Sequence, residues 1–253
     1  METNNNKTKK VNNSSSKITL KNKNKISYKE YELNSLDYRN AIIYDKRTFI
    51  KYYLSLIKTK NIILFSFCPR KDYNSIIIRS CIFSLSFSIY YAINFAFFTD
   101  NIMHKIYEDE GKYDIIFFFP KIIISFFIGY YITIIIKIIF LSERNIIQIR
   151  NQQTLSKAIS KSENVLRYLI IKYTIFFILG LLFLVFFWML LSSFGAVYPN
   201  TQIFIFKNTL ISFGISFIYP FFICLLPCIF RLISLNSKDQ EYLYKISKIL
   251  QII

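Results

Sequence analysis

Four runs of apolar residues, each about as long as a bilayer is thick, constrain this chain more than any other feature. A hydrocarbon core of about 30 Å needs roughly 20 apolar residues at a helical rise of about 1.5 Å each. Residues 80–98, 122–141, 173–191 and 209–230 supply such runs. They are not the amphipathic stripes of a soluble domain, and a chain that is 53% hydrophobic has too much apolar surface to stay disordered throughout. The expected fold is all-α, an integral membrane bundle of four transmembrane helices with an N-terminal cytosolic amphipathic helix. A fifth apolar stretch, 52–67, holds Lys58 and Lys60 near its middle. Each lysine would cost about 2.5–3.5 kcal/mol at a membrane centre, so this stretch is expected to lie on the surface.

Charge sets the orientation. The 253 residues include 32 Lys and Arg against 15 Asp and Glu, a formal charge of +17. With a cytosolic N-terminus, 28 of the 32 basic residues fall on the inner side, and only Lys105, Lys112, Lys121 and Lys207 fall outside. The first outer loop instead carries Asp100, Glu108, Asp109, Glu110 and Asp114. The positive-inside rule then places both ends of the chain in the cytosol. Tyr90, Tyr91 and Trp188 fall near outer ends, where aromatic rings favour the headgroup level. Arg79, Lys137, Lys172 and Arg231 fall near inner ends, and their long side chains are expected to snorkel to lipid headgroups.

This divides the chain into a disordered basic head (1–30), a juxtamembrane amphipathic segment (31–79), the four-helix membrane domain (80–230) and a cytosolic tail (231–253). The head has seven lysines within its first 25 residues. They would draw it to an anionic inner leaflet at about 1 kcal/mol per lysine near the surface. Leu36, Ile43, Ile50, Tyr53, Leu54 and Ile57 recur at helical spacing, which predicts a helix lying against that leaflet. The loop 142–166 reads as helical extensions of the second and third spans, and Leu243, Ile246, Ile249 and Leu250 mark a short amphipathic stretch in the tail.

Small residues mark helix contacts. Ser80, Ser84, Ser88 and Ala92 line one face of the first span, and Ser212, Ser216, Cys224 and Cys228 recur along the fourth, with Pro220 in the same row. Such rows let helix backbones approach closely in lipid, and packing is the preferred reading over a serine-lined pore. Cys224 and Cys228 lie one turn apart, as two ligands of a soft metal would, but the single histidine, His104, falls on the other side of the membrane. They read as packing residues. The acidic loop around His104 lacks the spacing of a calcium loop. No acidic residue falls inside any of the four runs, which disfavours proton-coupled transport. No metal, cofactor or catalytic residue is assigned, and the chain is not expected to be an enzyme. No folded reader or aromatic platform accompanies the basic head, so nucleic-acid binding is not expected.

The runs Tyr44-Asp45-Lys46-Arg47-Thr48, Tyr52-Tyr53-Leu54-Ser55-Leu56, Met103-His104-Lys105-Ile106-Tyr107-Glu108-Asp109 and Tyr244-Lys245-Ile246-Ser247-Lys248 resemble a family of multi-pass membrane proteins from AT-rich protists. The resemblance extends over about 31–253 and departs at Ser193 and Gly195, where the family has cysteines, and at Pro199, where it has lysine. It implies a multi-pass topology and no particular activity. It also implies that this chain corresponds to the membrane-embedded C-terminal part of longer proteins. The expected function is membrane anchoring or assembly, and the alternative is a subunit of an oligomeric ion channel or transporter. The expected partners are an anionic inner leaflet and either a second copy or other membrane proteins.

Overall fold

The computed structural model describes residues 28–68, 73–150, 152, 154–198, 201–237 and 240–252. Most of the basic head expected to be disordered lies outside these residues. The described residues form α-helices and no strand. Four short helices come first: α1 (Glu30–Ser35), α2 (Tyr38–Tyr44), α3 (Phe49–Lys60) and α4 (Ile62–Phe67). Asn61 both ends α3, its backbone N–H donating to the Ile57 carbonyl at 2.9 Å, and starts α4, its side chain accepting from the backbone N–H groups of Ile63 and Leu64 at 3.0 and 3.1 Å. An asparagine at this position satisfies two donors that a helix start leaves free.

The first span is α5 (Ile76–Ala96), followed at the far end by α6 (Asp100–Glu108). Glu110 and Gly111 take left-handed backbone angles there, and the Gly111 N–H returns to the Ile106 carbonyl at 2.9 Å, closing α6. The second span, α7 (Ile115–Phe140), starts where the Asp114 carboxylate accepts from Ile116 and Phe117. It is followed by α8 (Glu143–Arg150). The third span lies within α9 (Leu155–Val197), a 43-residue helix that includes the expected cytosolic extension. The fourth runs through α10 (Gln202–Ile223) and α11 (Leu225–Asn236), and α12 (Glu241–Ile252) follows. The break at Cys224 follows from Pro220 and Pro227, whose rings cannot donate to the carbonyls four residues back.

All four expected spans are therefore helices long and apolar enough to cross a bilayer. They are not buried alike. In the most apolar stretch of α5, 44% of residues are buried inside the protein, against 6% for α9. The bundle core is α5, α7 and α10. There Tyr90 of α5 lies over Gly129 of α7, where a methyl group would sit 2.7 Å from the ring, and packs against Phe213 of α10.

Two expectations are corrected. The stretch 52–67 does not lie on the surface as an independent helix. Tyr52, Leu56 and Ile57 pack against Cys224 and Cys228, while Ile62 and Phe65 join the core with Ile82 and Tyr90. Its lysines sit at the end of α3, where both are half-buried, and Lys60 lines a cavity beside the core. The expected contact row of the first span is also misplaced. Ser84 is exposed and Ser80 and Ala92 are half-buried, with only Ser88 buried. The buried row is Ile82, Ser86, Tyr90 and Asn94, half a turn away. In the fourth span Ser212, Ser216, Cys224 and Cys228 are all buried.

Candidate functional site

Every helix ends with carbonyl groups that have no partner within that helix. At the basic end of this bundle, cationic side chains from neighbouring elements supply partners. Arg79 of α5 donates to the Phe65 and Cys68 carbonyls at the end of α4, at 3.2 and 3.4 Å. Lys137 of α7 donates to the Lys60 carbonyl at the end of α3 at 3.3 Å. Lys172 of α9 donates to the Leu141 carbonyl that follows α7 at 2.9 Å. Arg231 of α11 donates to the Leu33 carbonyl in α1 at 2.8 Å. These are the four cations expected at lipid headgroups. Arg79 and Arg231 are each only 2% exposed, so for both the expectation is corrected. Lys172 is also buried and Lys137 half-buried. A helix C-terminus attracts a cation by its partial negative charge, and here protein carbonyls take the place of headgroups.

Arg231 also anchors a buried ion cluster. Its Nε and Nη2 donate to Asp45 Oδ2 at 3.0 and 2.6 Å. Arg47 donates to both oxygens of the same carboxylate and to Asn34 Oδ1. Burial pushes the Asp45 carboxyl up, but its hydrogen bond with Arg47 and the charges of Arg231 and Arg47 outweigh this and hold it below the ordinary value. The Arg231 guanidinium lies against the Tyr52 and Tyr244 rings at 4.7 and 4.9 Å. Neutral bonds complete the junction: Asn61 donates to the Phe217 carbonyl at 2.8 Å and Tyr53 to the Phe221 carbonyl at 2.7 Å, both beside the Pro220 bend. Tyr244 donates to the Leu36 carbonyl at 2.7 Å.

Beside this junction lies a cavity of about 670 Å³. Its deep end is formed by Ser86 and Tyr90 of α5, Tyr130 and Thr133 of α7, and Phe213 and Ser216 of α10. Ser86, Thr133 and Ser216 contribute short polar side chains to this wall. Thr133 donates to Ser86 at 3.3 Å, and Ser216 donates to its own helix at the Phe213 carbonyl. Tyr130 is 5% exposed, and its hydroxyl has no hydrogen-bond partner. Ile62, Phe65, Ile134 and Ile138 make the middle apolar. Around the opening stand Lys60, Lys137 and Lys248 with one carboxylate, Glu143. Burial lowers the Lys60 amine to about 8. It also lowers Lys248, where the nearby Arg231 charge adds to the effect.

The cavity does not continue to the acidic end. Asn94 donates to Ser212 at 2.9 Å, and Tyr91, Phe194 and Ile205 form an apolar cluster at that end. There Tyr113 donates to Asn208, and exposed His104 and Glu108 lie 3.1 Å apart on α6. No group of three or more metal-ligating side chains occurs among the described residues.

Sequence reasoning brought Ser216 and Lys137 to this region and missed Tyr130, Thr133, Ser86, Lys60 and Lys248 as its other walls. The signal available was Lys60 within an apolar stretch. No family model, curated protein or solved structure matches the chain.

Proposed function

We propose that this membrane protein is a non-enzymatic anchoring and assembly module, with both chain ends in the cytosol, in which the spans hold the flanking helices at the inner leaflet. The observation that carries the reading is the cationic junction. Arg79, Lys137, Lys172 and Arg231 each join a span to a carbonyl in or after another helix. Flanking helices fixed in this way present a defined cytosolic surface, whereas helices held only by lipid would turn about the spans. Lipid covers most of α9, where Val165, Lys172, Phe176 and Phe194 are the buried residues.

The alternative, a channel or transporter subunit, draws on the polar groups in the cavity. The direct Asn94–Ser212 bond favours packing over a continuous polar path. Two measurements test the proposal. With the native cysteines replaced, Asp109→Cys should be labelled by an impermeant maleimide only from outside, and Ser237→Cys only from the cytosol. Purified protein in liposomes should pass ions no faster than empty liposomes. Cytosolic labelling at 109 overturns the orientation, and saturable flux overturns the anchoring role.

A further inference from the structure

At the acidic end of the bundle, two lysines from different helices meet at one ring. Lys105 Nζ of α6 lies 4.6 Å from the centre of the Phe117 ring, and Lys121 Nζ of α7 lies 3.7 Å from it. The two amines are therefore no more than about 8 Å apart, a gap that one phosphate can bridge with two charge-assisted hydrogen bonds of about 2.8 Å. Both lysines are half-buried, so packed stems set where the amines stand. Among the described residues no carboxylate comes within ion-pair distance of either. Of the acids nearby in the chain, Glu108 pairs with His104, Asp114 caps α7, Asp100 is exposed at the start of α6, and Asp109 lies one turn beyond Lys105 without reaching its amine. Two like charges held this close repel each other, and an anion between them removes that cost.

Below Lys121 the same face of α7 continues as Ile124, Ile128 and Tyr131, which are 47%, 41% and 47% exposed. From Lys121 to Tyr131 the helix rises about 15 Å, half of a hydrocarbon core of about 30 Å. The lysine pair thus stands at the head of an apolar track one leaflet deep. We propose that this face holds one anionic phospholipid, its phosphate bridging Lys105 and Lys121 beside Phe117 and an acyl chain lying along Ile124, Ile128 and Tyr131. A zwitterionic lipid would bring a third cation to the pair. A free phosphate would leave the apolar track unused.

The test uses the full chain in a neutral detergent, with phosphatidylglycerol, phosphatidylcholine of matched chains and inorganic phosphate as probes, read by native mass spectrometry. The unaltered protein and each variant share one sample, so lipid bound at other basic surfaces cancels. Lys105→Gln and Lys121→Gln should each weaken phosphatidylglycerol binding about fivefold, the worth of one lysine near an anionic surface. The double variant should lose less than the product of the two, because a phosphate released by one amine is no longer held against the other. Phosphatidylcholine affinity should change little in either variant. Lys112→Gln, which removes an exposed lysine of the same end that faces Glu110, should leave binding unchanged. Inorganic phosphate should not displace the lipid. Unchanged binding in either single variant, independent effects in the double variant, or an equal loss with phosphatidylcholine or in Lys112→Gln would each overturn the proposal. Displacement by inorganic phosphate would reassign the lysines to a free anion and overturn it too. Retained unfolding midpoints establish that the variants are folded.

Discussion

The basic end of the bundle contains two groups of buried or half-buried charge, and they are built in opposite ways. Around Asp45, two arginines meet one carboxylate, two tyrosine rings cover Arg231, and the Leu33 carbonyl takes a further donor. Around the cavity opening, three lysines stand with one glutamate, and burial depresses the Lys60 amine. The first arrangement pairs its charges within the protein, leaving only Arg231 Nη1 of that guanidinium without a hydrogen-bond partner, as suits a structural joint. The second places its lysines along the wall of a space. Cations at membrane depth thus serve two ends here, and what distinguishes them is the kind of acceptor that reaches them: a shared carboxylate for Arg47 and Arg231, backbone carbonyls for Lys137 and Lys248.

The sharpest way to break this contrast is to remove the acceptor from the first group. Asp45→Ala leaves Arg231 buried without its carboxylate and should cost about 3–5 kcal/mol, read as a fall in the unfolding midpoint in detergent. Asp45→Asn should lose a large part of the same stability, since shape alone does not replace charge. pH sharpens the same point. The folded-state pKa of Asp45 is depressed, so its contribution is fully present above the ordinary carboxylate range and is lost as pH falls through the depressed value. Acid titration of the unfolding midpoint should show this loss, and Asp45→Asn should remove it.

A smaller effect tests the core on which both groups rest. Gly129→Ala places a methyl group 2.7 Å from the Tyr90 ring and should cost about 1–3 kcal/mol in the same assay. Tyr90→Leu in the same chain should recover part of that loss, because the crowding partner is removed.

At the second group stability again rises with pH, but in an alkaline window, because the folded-state pKa of Lys60 is also depressed. Lys60 faces Lys137 of α7, Cys224 at the α10–α11 bend, and Glu143 and Lys248 across the opening. Between about 8 and 10.5 the unfolded chain holds more protons than the folded one at this amine, so stability should rise with pH across that window. Lys60→Gln should flatten the rise and raise neutral-pH stability, because a charged amine is no longer held out of water there. The smallest expected change is on α9. Leu182 is 61% exposed where lipid covers the helix, and Leu182→Ala should shift stability by no more than about 0.5 kcal/mol.

The four spans were legible because lipid demands length and apolarity of every residue in a run, and those demands are local. The extension at the start of α9 was legible for a different reason, the scarcity of helix breakers in a segment of mixed charge. The first span's contact row was not. Ser84 and Ser88 have the spacing of a packing row, but so does the neighbouring series of Ser86, Tyr90 and Asn94, and the choice between them lies in the partners. Gly129 admits Tyr90, and Ser212 accepts Asn94. The destination of the cations was misread at Arg79 and Arg231, because a run of residues does not show which carbonyls will receive them; those of Phe65 and Cys68 lie 14 and 11 positions before Arg79. Leu33 and Arg231 are separated by 198 positions. The cavity was beyond reach of pattern reading for that reason as well, since its walls come from α1, α3, α4, α5, α7, α8, α10 and α12.

The account depends on α3 and α4 being part of the bundle rather than a surface helix beside it. Hydrogen exchange on the protein in lipid nanodiscs measures this directly. Amides within 52–67 should exchange as slowly as those in α5 and α10, and far more slowly than the exposed start of α9 at 155–162. Exchange in 52–67 as fast as at the start of α9 would contradict the account.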